Sequence, residues 1–164
     1  MDRVRQFVHL FEEAGLIALH ENEKDIYGDT SSRCKDLFET IQCPNFSGIF
    51  DFANFVQCGE DPAESYEILK PYIRYFHIKD AVFSSQRTVL CGTGDGRIRE
   101  ILGHSLANGY HGFLTLEPHL INFASFQSLE LNPINPPPLN VRVADGYQCF
   151  GMQYQALLEI IRSL

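Results

Sequence analysis

The chain has no cluster of Lys or Arg, no CxxC pair, no Cys/His spacing of a zinc site, and no apolar run near the ~20 residues of a membrane helix. Each absence removes a class of function. Thirteen basic residues against twenty-one acidic ones give a net charge of −8, which repels phosphate backbones over the surface at large. Nucleic acid is therefore a poor partner, and no membrane partner is expected. The five cysteines, Cys34, Cys43, Cys58, Cys91 and Cys149, are odd in number and read as reduced, mostly buried thiols. The segment Met1-Asp2-Arg3-Val4-Arg5 leads into an amphipathic pattern and not a signal peptide, so the cytoplasm is the expected compartment.

What is present is ordinary in bulk and specific in arrangement. At 164 residues, 45% hydrophobic and 21% charged, residues 1–164 read as one folded domain. Four apolar runs each stop on a residue able to bind a metal. They are Leu16-Ile17-Ala18-Leu19-His20-Glu21, Gly48-Ile49-Phe50-Asp51, Tyr75-Phe76-His77-Ile78-Lys79-Asp80 and Gly112-Phe113-Leu114-Thr115-Leu116-Glu117. Short apolar runs bounded by polar loops predict buried strands.

Helical spacing fills the gaps. Val4, Phe7, Val8 and Phe11 predict a helix over 2–14 before the strand at 16–20, and Cys34, Leu37, Phe38 and Ile41 predict a second. Asp61-Pro62 is a helix start, so a helix over 62–73 is expected, with Tyr66, Leu69 and Ile73 inward. Ile98, Ile101 and Leu102 mark a helix over 97–108, and Leu157, Ile160, Ile161 and Leu164 mark one over about 149–163. Residues 120–148 carry Pro133, Pro136, Pro137 and Pro138 and read as an irregular surface excursion.

Strand and helix alternate, with 30 residues from Glu21 to Asp51, 26 from Asp51 to His77 and 40 from His77 to Glu117. Such alternation predicts an α/β fold with parallel strands, either an open sheet or part of a (β/α)8 barrel. A barrel aims the carboxyl ends of its strands at one mouth, so it suits four ligands sharing one ion. Taken singly, Asp51 is a helix cap, Glu21 and Glu117 are solvated and His77 is a core group. Four in series at one place in each unit argue for a shared site. Three oxygen ligands and one nitrogen suit Mn²⁺, Mg²⁺ or Co²⁺, with Zn²⁺ admissible.

Five motifs, Leu19-His20-Glu21-Asn22, Phe50-Asp51-Phe52-Ala53-Asn54, His77-Ile78-Lys79-Asp80-Ala81, Gly92-Thr93-Gly94-Asp95-Gly96 and Leu116-Glu117-Pro118-His119, resemble the sugar phosphate isomerase/epimerase family over about residues 1–120. These are xylose isomerase-like TIM barrels. The resemblance implies one divalent ion on Glu21, Asp51, His77 and Glu117, and a sugar or sugar-phosphate substrate. It implies proton transfer by Glu21 and Glu117 through an enediolate, giving isomerisation or epimerisation.

Asn54, Lys79, Arg87 and His20 are candidate substrate contacts, each with a plainer reading as loop cap, charge neutraliser or solvated side chain. Asn22 flanks the first ligand and Asp80 is a candidate to orient His77. The glycine run 92–96 resembles a phosphate-cradling loop, although the start of a helix explains it equally well. His9, His104, His111 and His119 are expected to be structural.

The resemblance covers only the last four of eight units. A truncated frame, a half-barrel completed by a copy or a partner, and a remainder encoded elsewhere are the three explanations, and truncation is the expectation. An inactive half-barrel that keeps a metal or sugar pocket is thus the alternative to a complete enzyme. A third reading, an endonuclease acting on abasic DNA, is opposed by Asn54 and by the acidic charge.

Overall fold

Four strands run parallel in the order β1 (Ala18–Glu21), β2 (Phe46–Asp51), β3 (Ile73–Ile78) and β6 (Phe113–Leu116). The computed structural model describes residues 1–120 and 145–164. Helices α1 (Asp2–Glu13), α2 (Ser31–Ile41), α3 (Phe52–Gln57), α4 (Pro62–Leu69), α5 (Ile98–Ala107) and α6 (Gly146–Arg162) accompany the sheet. A two-stranded antiparallel hairpin, β4 (Asp80–Ala81) with β5 (Thr88–Val89), stands apart from it. This is the half-barrel expected from the βα alternation.

Local chemistry sets the helix ends. Thr30 caps α2 by accepting from Arg33 N, and Gln42 closes it in the left-handed region at φ 46°. Asp61 caps α4 by accepting from Ala63 N at 2.7 Å, with Pro62 at the first helical position. The buried stripe of α2 is Ser31, Cys34, Leu37 and Phe38, at helical spacing.

One face of the sheet carries the core. Phe50, Phe76 and Ile78 are fully buried there, and Phe50 meets Phe55 at 4.9 Å between ring centroids while Phe52 stacks on Phe76 at 5.5 Å. The opposite face is open. Phe113 is 71% exposed although it stacks on Tyr75, and Leu16 and Ile17 leading into β1 are also exposed. Among the described residues, β1 and β6 each have one unpaired edge.

Several expectations shift. The helix expected over 62–73 stops at Leu69, because Pro71 has no N–H to continue the ladder; Ile73 instead opens β3. Helix α3 follows Asp51 directly, and its residues 52–56, apolar but for Asn54, are buried all round and so show no amphipathic period. The loop after β3 contains the β4–β5 hairpin, whose two-residue strands are too short to show a period. Helix α6 begins at Gly146 under an Asp145 cap, inside the expected excursion 120–148; residues 121–144 of that excursion lie outside the described residues. All five cysteines are free, and Cys34, Cys91 and Cys149 are buried. No helix among the described residues is long and apolar enough to cross a membrane.

Candidate metal centre

Strand parity puts the four expected ligands on one face. Asp51 pairs with His77 and His77 with Thr115, so Glu117, two residues on, shares the side of His77. Glu21 pairs with Ile49, two residues before Asp51, so it shares that side too. One ligand atom from each of Glu21, Asp51, His77 and Glu117 lies within 4.8 Å of all the others. The convergence read from the strand ends is thus present in the fold.

His77 Nδ1 is the centre of the group, 2.9 Å from Glu21 Oε1 and 3.2 Å from Glu117 Oε1. Lys79 Nζ lies 2.8 Å from Glu117 Oε2 and 3.1 Å from Asp51 Oδ2. Asp51 is 0% exposed, and its Oδ1 accepts from Asn54 N at 2.8 Å. Its Oδ2 has no aligned hydrogen-bond donor, for Lys79 approaches it without the geometry of a hydrogen bond.

Charge compensation in the metal-free protein follows. Burial pushes the Asp51 carboxyl up to about 7, against the pull of Lys79 and of Asn54 N–H. Burial disfavours the His77 imidazolium, but Glu117 and Glu21 outweigh it and raise the pKa to about 10. Burial also opposes the Glu117 carboxylate, and His77 with Lys79 overturns that, holding it well below the usual carboxylate range. The Lys79 ammonium is held charged by Asp51 and Glu117 despite its burial. A proton on Nδ1 and an ammonium therefore offset the clustered carboxyl groups.

The donor set fits a divalent ion. Bonds of about 2.1 Å at right angles place neighbouring ligand atoms about 3.0 Å apart, close to the separations around His77 Nδ1. Asp51 Oδ2 accepts no hydrogen bond in the fold and has only the ion pair to Lys79, so it keeps a lone pair for a cation. Three oxygens and one imidazole nitrogen suit Mg²⁺, Mn²⁺ or Co²⁺ and admit Zn²⁺.

The surrounding residues sort themselves by contact. Lys79, expected at the substrate, is 3% exposed and spans the Asp51 and Glu117 carboxylates. Asn54 is equally buried, and its Nδ2 reaches Asn22 O at 2.8 Å, Glu23 Oε2 at 3.3 Å and Glu21 Oε1 at 3.4 Å, so it braces the β1 end. His20 departs from the expectation. It precedes an inward Glu21, so alternation turns it to the helix side, against the Phe38 ring and beneath Gly28. Arg87 sits in the β4–β5 hairpin, its carbonyl accepting from Val82 N at 3.1 Å.

Two supports escaped the sequence reading of roles. Asn22 clamps the strand ends, donating to Asp51 O at 3.0 Å and accepting from Asp51 N at 2.8 Å. Gln153 of α6 donates to Ile78 O at 3.1 Å and accepts from Cys91 N at 3.0 Å, wholly buried. Its signal was there, since Cys149, Gln153, Leu157 and Ile160 form one apolar stripe with a single polar member. His104 is structural as expected, its Nδ1 lying 3.1 Å from the Tyr66 hydroxyl.

The family description "Xylose isomerase-like TIM barrel" matches residues 1–137. The chain belongs to that family. A 3-dehydroshikimate dehydratase of Bacillus anthracis is 28% identical over 80 residues, covering 49% of this chain and 29% of that protein. The uncharacterized protein YihM of Escherichia coli K12 is 26% identical over 105 residues, covering 60% and 31%. Among solved structures, a D-allulose 3-epimerase from Methylomonas sp. superposes with TM-score 0.70 at 14% identity, over 98% of this chain and 53% of that one. A xylose isomerase-like TIM barrel protein from Mycobacterium smegmatis in complex with magnesium gives 0.66 at 17%, over 99% and 49%. Such identities show the fold alone. The chain spans less than a third of the curated relatives it matches and about half of these solved barrels.

Proposed function

We propose that the chain carries the metal-binding and proton-transferring half of a divalent-metal-dependent sugar isomerase or epimerase. The convergence of Glu21, Asp51, His77 and Glu117 within 4.8 Å is the observation that carries this reading. A bound divalent ion supplies Lewis-acid polarisation of the substrate's carbonyl and neighbouring hydroxyl. Glu21 and Glu117 flank His77 from opposite edges of the sheet, so each offers a carboxylate to one side of a bound sugar carbon. One takes the proton next to the carbonyl, and the other returns a proton to the opposite face or the adjacent carbon. Asp51 and His77 position, while Lys79 keeps Glu117 ionised. The epimerase among the structural neighbours and the dehydratase among the relatives support carbon-acid chemistry on polyhydroxy carbonyl compounds.

The exposed inner face around Phe113 supports a second reading. Here the four units retain the pocket as a binding module and turn over substrate only when a further half-barrel, from a second copy or another chain, covers that face. The experiment is a melting curve with and without Mn²⁺, followed by an assay of ketose–aldose and ketose–ketose exchange. A Mn²⁺-dependent shift with turnover supports the enzyme. A shift without turnover supports the binding module, and no shift defeats both.

A further inference from the structure

The glycine run after β5 is the motif the metal cluster leaves unused, and it is built like an anion cradle. Its amides are spent inside the chain. Gly92 N and Gly94 N donate to Asp80 Oδ2 at 2.9 and 3.0 Å, and Gly96 N donates to Asp80 Oδ1 at 2.9 Å. Ala81 N adds a fourth donor to Oδ1 at 2.9 Å. Of the two remaining amides, Thr93 N turns to Leu90 O and Asp95 N to Ala81 O. Asp80 is 1% exposed. A Cβ at Gly94 would stand 2.5 Å from Asp80 Oδ1, and one at Gly96 2.7 Å away, so glycine is what lets the backbone close on the carboxylate.

Among the described residues, three further donors near the carboxyl ends of the strands are committed as well. Asn54 N at the start of α3 donates to Asp51 Oδ1, and Ser31 N at the start of α2 donates to Glu60 Oε2 at 2.6 Å. The Lys79 ammonium lies between Asp51 and Glu117. Beside it stand the carboxylates of Glu21 and, near Asn54 Nδ2, Glu23. A phosphate dianion arriving here meets a cradle already occupied by a tethered carboxylate, whose effective concentration exceeds that of any free ion.

We infer that Asp80 fills the anion cradle from within, and that these four units take an unphosphorylated polyhydroxy carbonyl substrate and discriminate against its phosphate ester. The inference rests on the sugar-site reading given above. It replaces the phosphate-cradling role that the glycine run suggests in sequence.

The test follows the amides of Gly92, Gly94 and Gly96 by NMR in the Mg²⁺-loaded chain. Inorganic phosphate, a panel of ketohexoses and the corresponding ketohexose phosphates are titrated in turn. None should move these three amides, and any ketose that binds should do so about tenfold tighter than its ester. Movement of the glycine amides by phosphate or an ester, or tighter binding of an ester, overturns the inference. Asp80→Ala should lose stability and regain part of it in formate or phosphate, to which the unsubstituted chain is indifferent. A folded Asp80→Ala chain that neither anion stabilises counts against the cradle. Should that variant fail to fold, Asp80→Asn serves, and its glycine amides should exchange about tenfold faster; unchanged exchange defeats the inference. Failure of every sugar to bind or turn over removes the sugar-site reading instead, and the amide response to phosphate still decides the cradle.

Discussion

His77 Nδ1 lies 2.9 Å from Glu21 Oε1 although their strands, β3 and β1, are separated by β2. The two side chains meet over the carboxyl end of the strand between them, where Asp51 supplies the third member of the group. Neighbouring parallel strands lie about 4.8 Å apart, so side chains two strands apart meet only if both lean inward over the middle one. The twist and curl of a barrel wall provide that lean, and a flat sheet does not. The contact therefore ties the fold class to the chemistry.

The same contact sets a pH dependence. His77 has a folded pKa raised to about 10, so in the metal-free chain its stabilisation is present below its unfolded value near 6.5 and is lost as pH rises through about 10. Asp51, raised to about 7 by burial, likewise costs the metal-free fold stability as pH climbs from about 4 to 7. A divalent ion competes with those protons. Its apparent affinity should rise with pH up to about 10, most steeply below about 7, and binding at neutral pH should release protons. Calorimetry of Mn²⁺ binding in buffers of different ionisation enthalpy measures the release; a heat independent of buffer would contradict the assignment of His77 as ligand.

Glu117→Gln preserves shape and removes a charge. Its Oε1 faces His77 and its Oε2 takes Lys79, so the amide keeps one acceptor and places an NH₂ against a donor. The fold should survive, since Glu117 is partly exposed. The Mn²⁺-induced rise in Tm should shrink, and any turnover should fall by about 10²–10⁴. Unchanged turnover would remove Glu117 from the proton-transferring pair.

Lys79→Met tests compensation. The ammonium is 3% exposed and faces two carboxylates, so its removal leaves buried negative charge unpaired at a cost of about 3–5 kcal/mol. Chemical denaturation of the metal-free chain should show that loss. Saturating Mn²⁺ should restore a large part of it by supplying a cation at the same carboxylates, whereas a loss indifferent to Mn²⁺ would assign Lys79 a packing role only.

The strand ends were legible because parity and period are written in the chain. Each candidate ligand closes a short apolar run, and parallel pairing then carries Glu21, Asp51, His77 and Glu117 to one face without further information. His20 was misread because adjacency in sequence is opposition in a strand, and it went to the helix side. The glycine run was half legible. Its composition announces a backbone that closes on an anion, but which anion depends on Asp80 lying at the base of the hairpin, a contact 12 to 16 residues long. Asn22 and Asn54 were placed at the site and their bracing role was not, because an amide serves equally as loop cap, substrate contact or strand clamp until its partners are known.

Gln153 offers the last test, and it separates the fold from the site. It is wholly buried in α6, accepts from Cys91 N and donates to Ile78 O, so one side chain joins the last helix to the strand that bears His77 and to the glycine loop. Gln153→Leu fills the same volume, leaves the buried Cys91 N–H without its acceptor at a cost of about 1–3 kcal/mol, and removes one of two donors from Ile78 O, which keeps Glu117 N at 3.2 Å. The carboxylates of Glu117 and Asp51 keep their own partners. Tm should therefore fall by several degrees for a chain of this size, while Mn²⁺ affinity measured below the transition stays within a few-fold. Loss of metal binding in the folded variant would instead show that α6 sets the position of His77, and the site would then depend on the helix as much as on the strand ends.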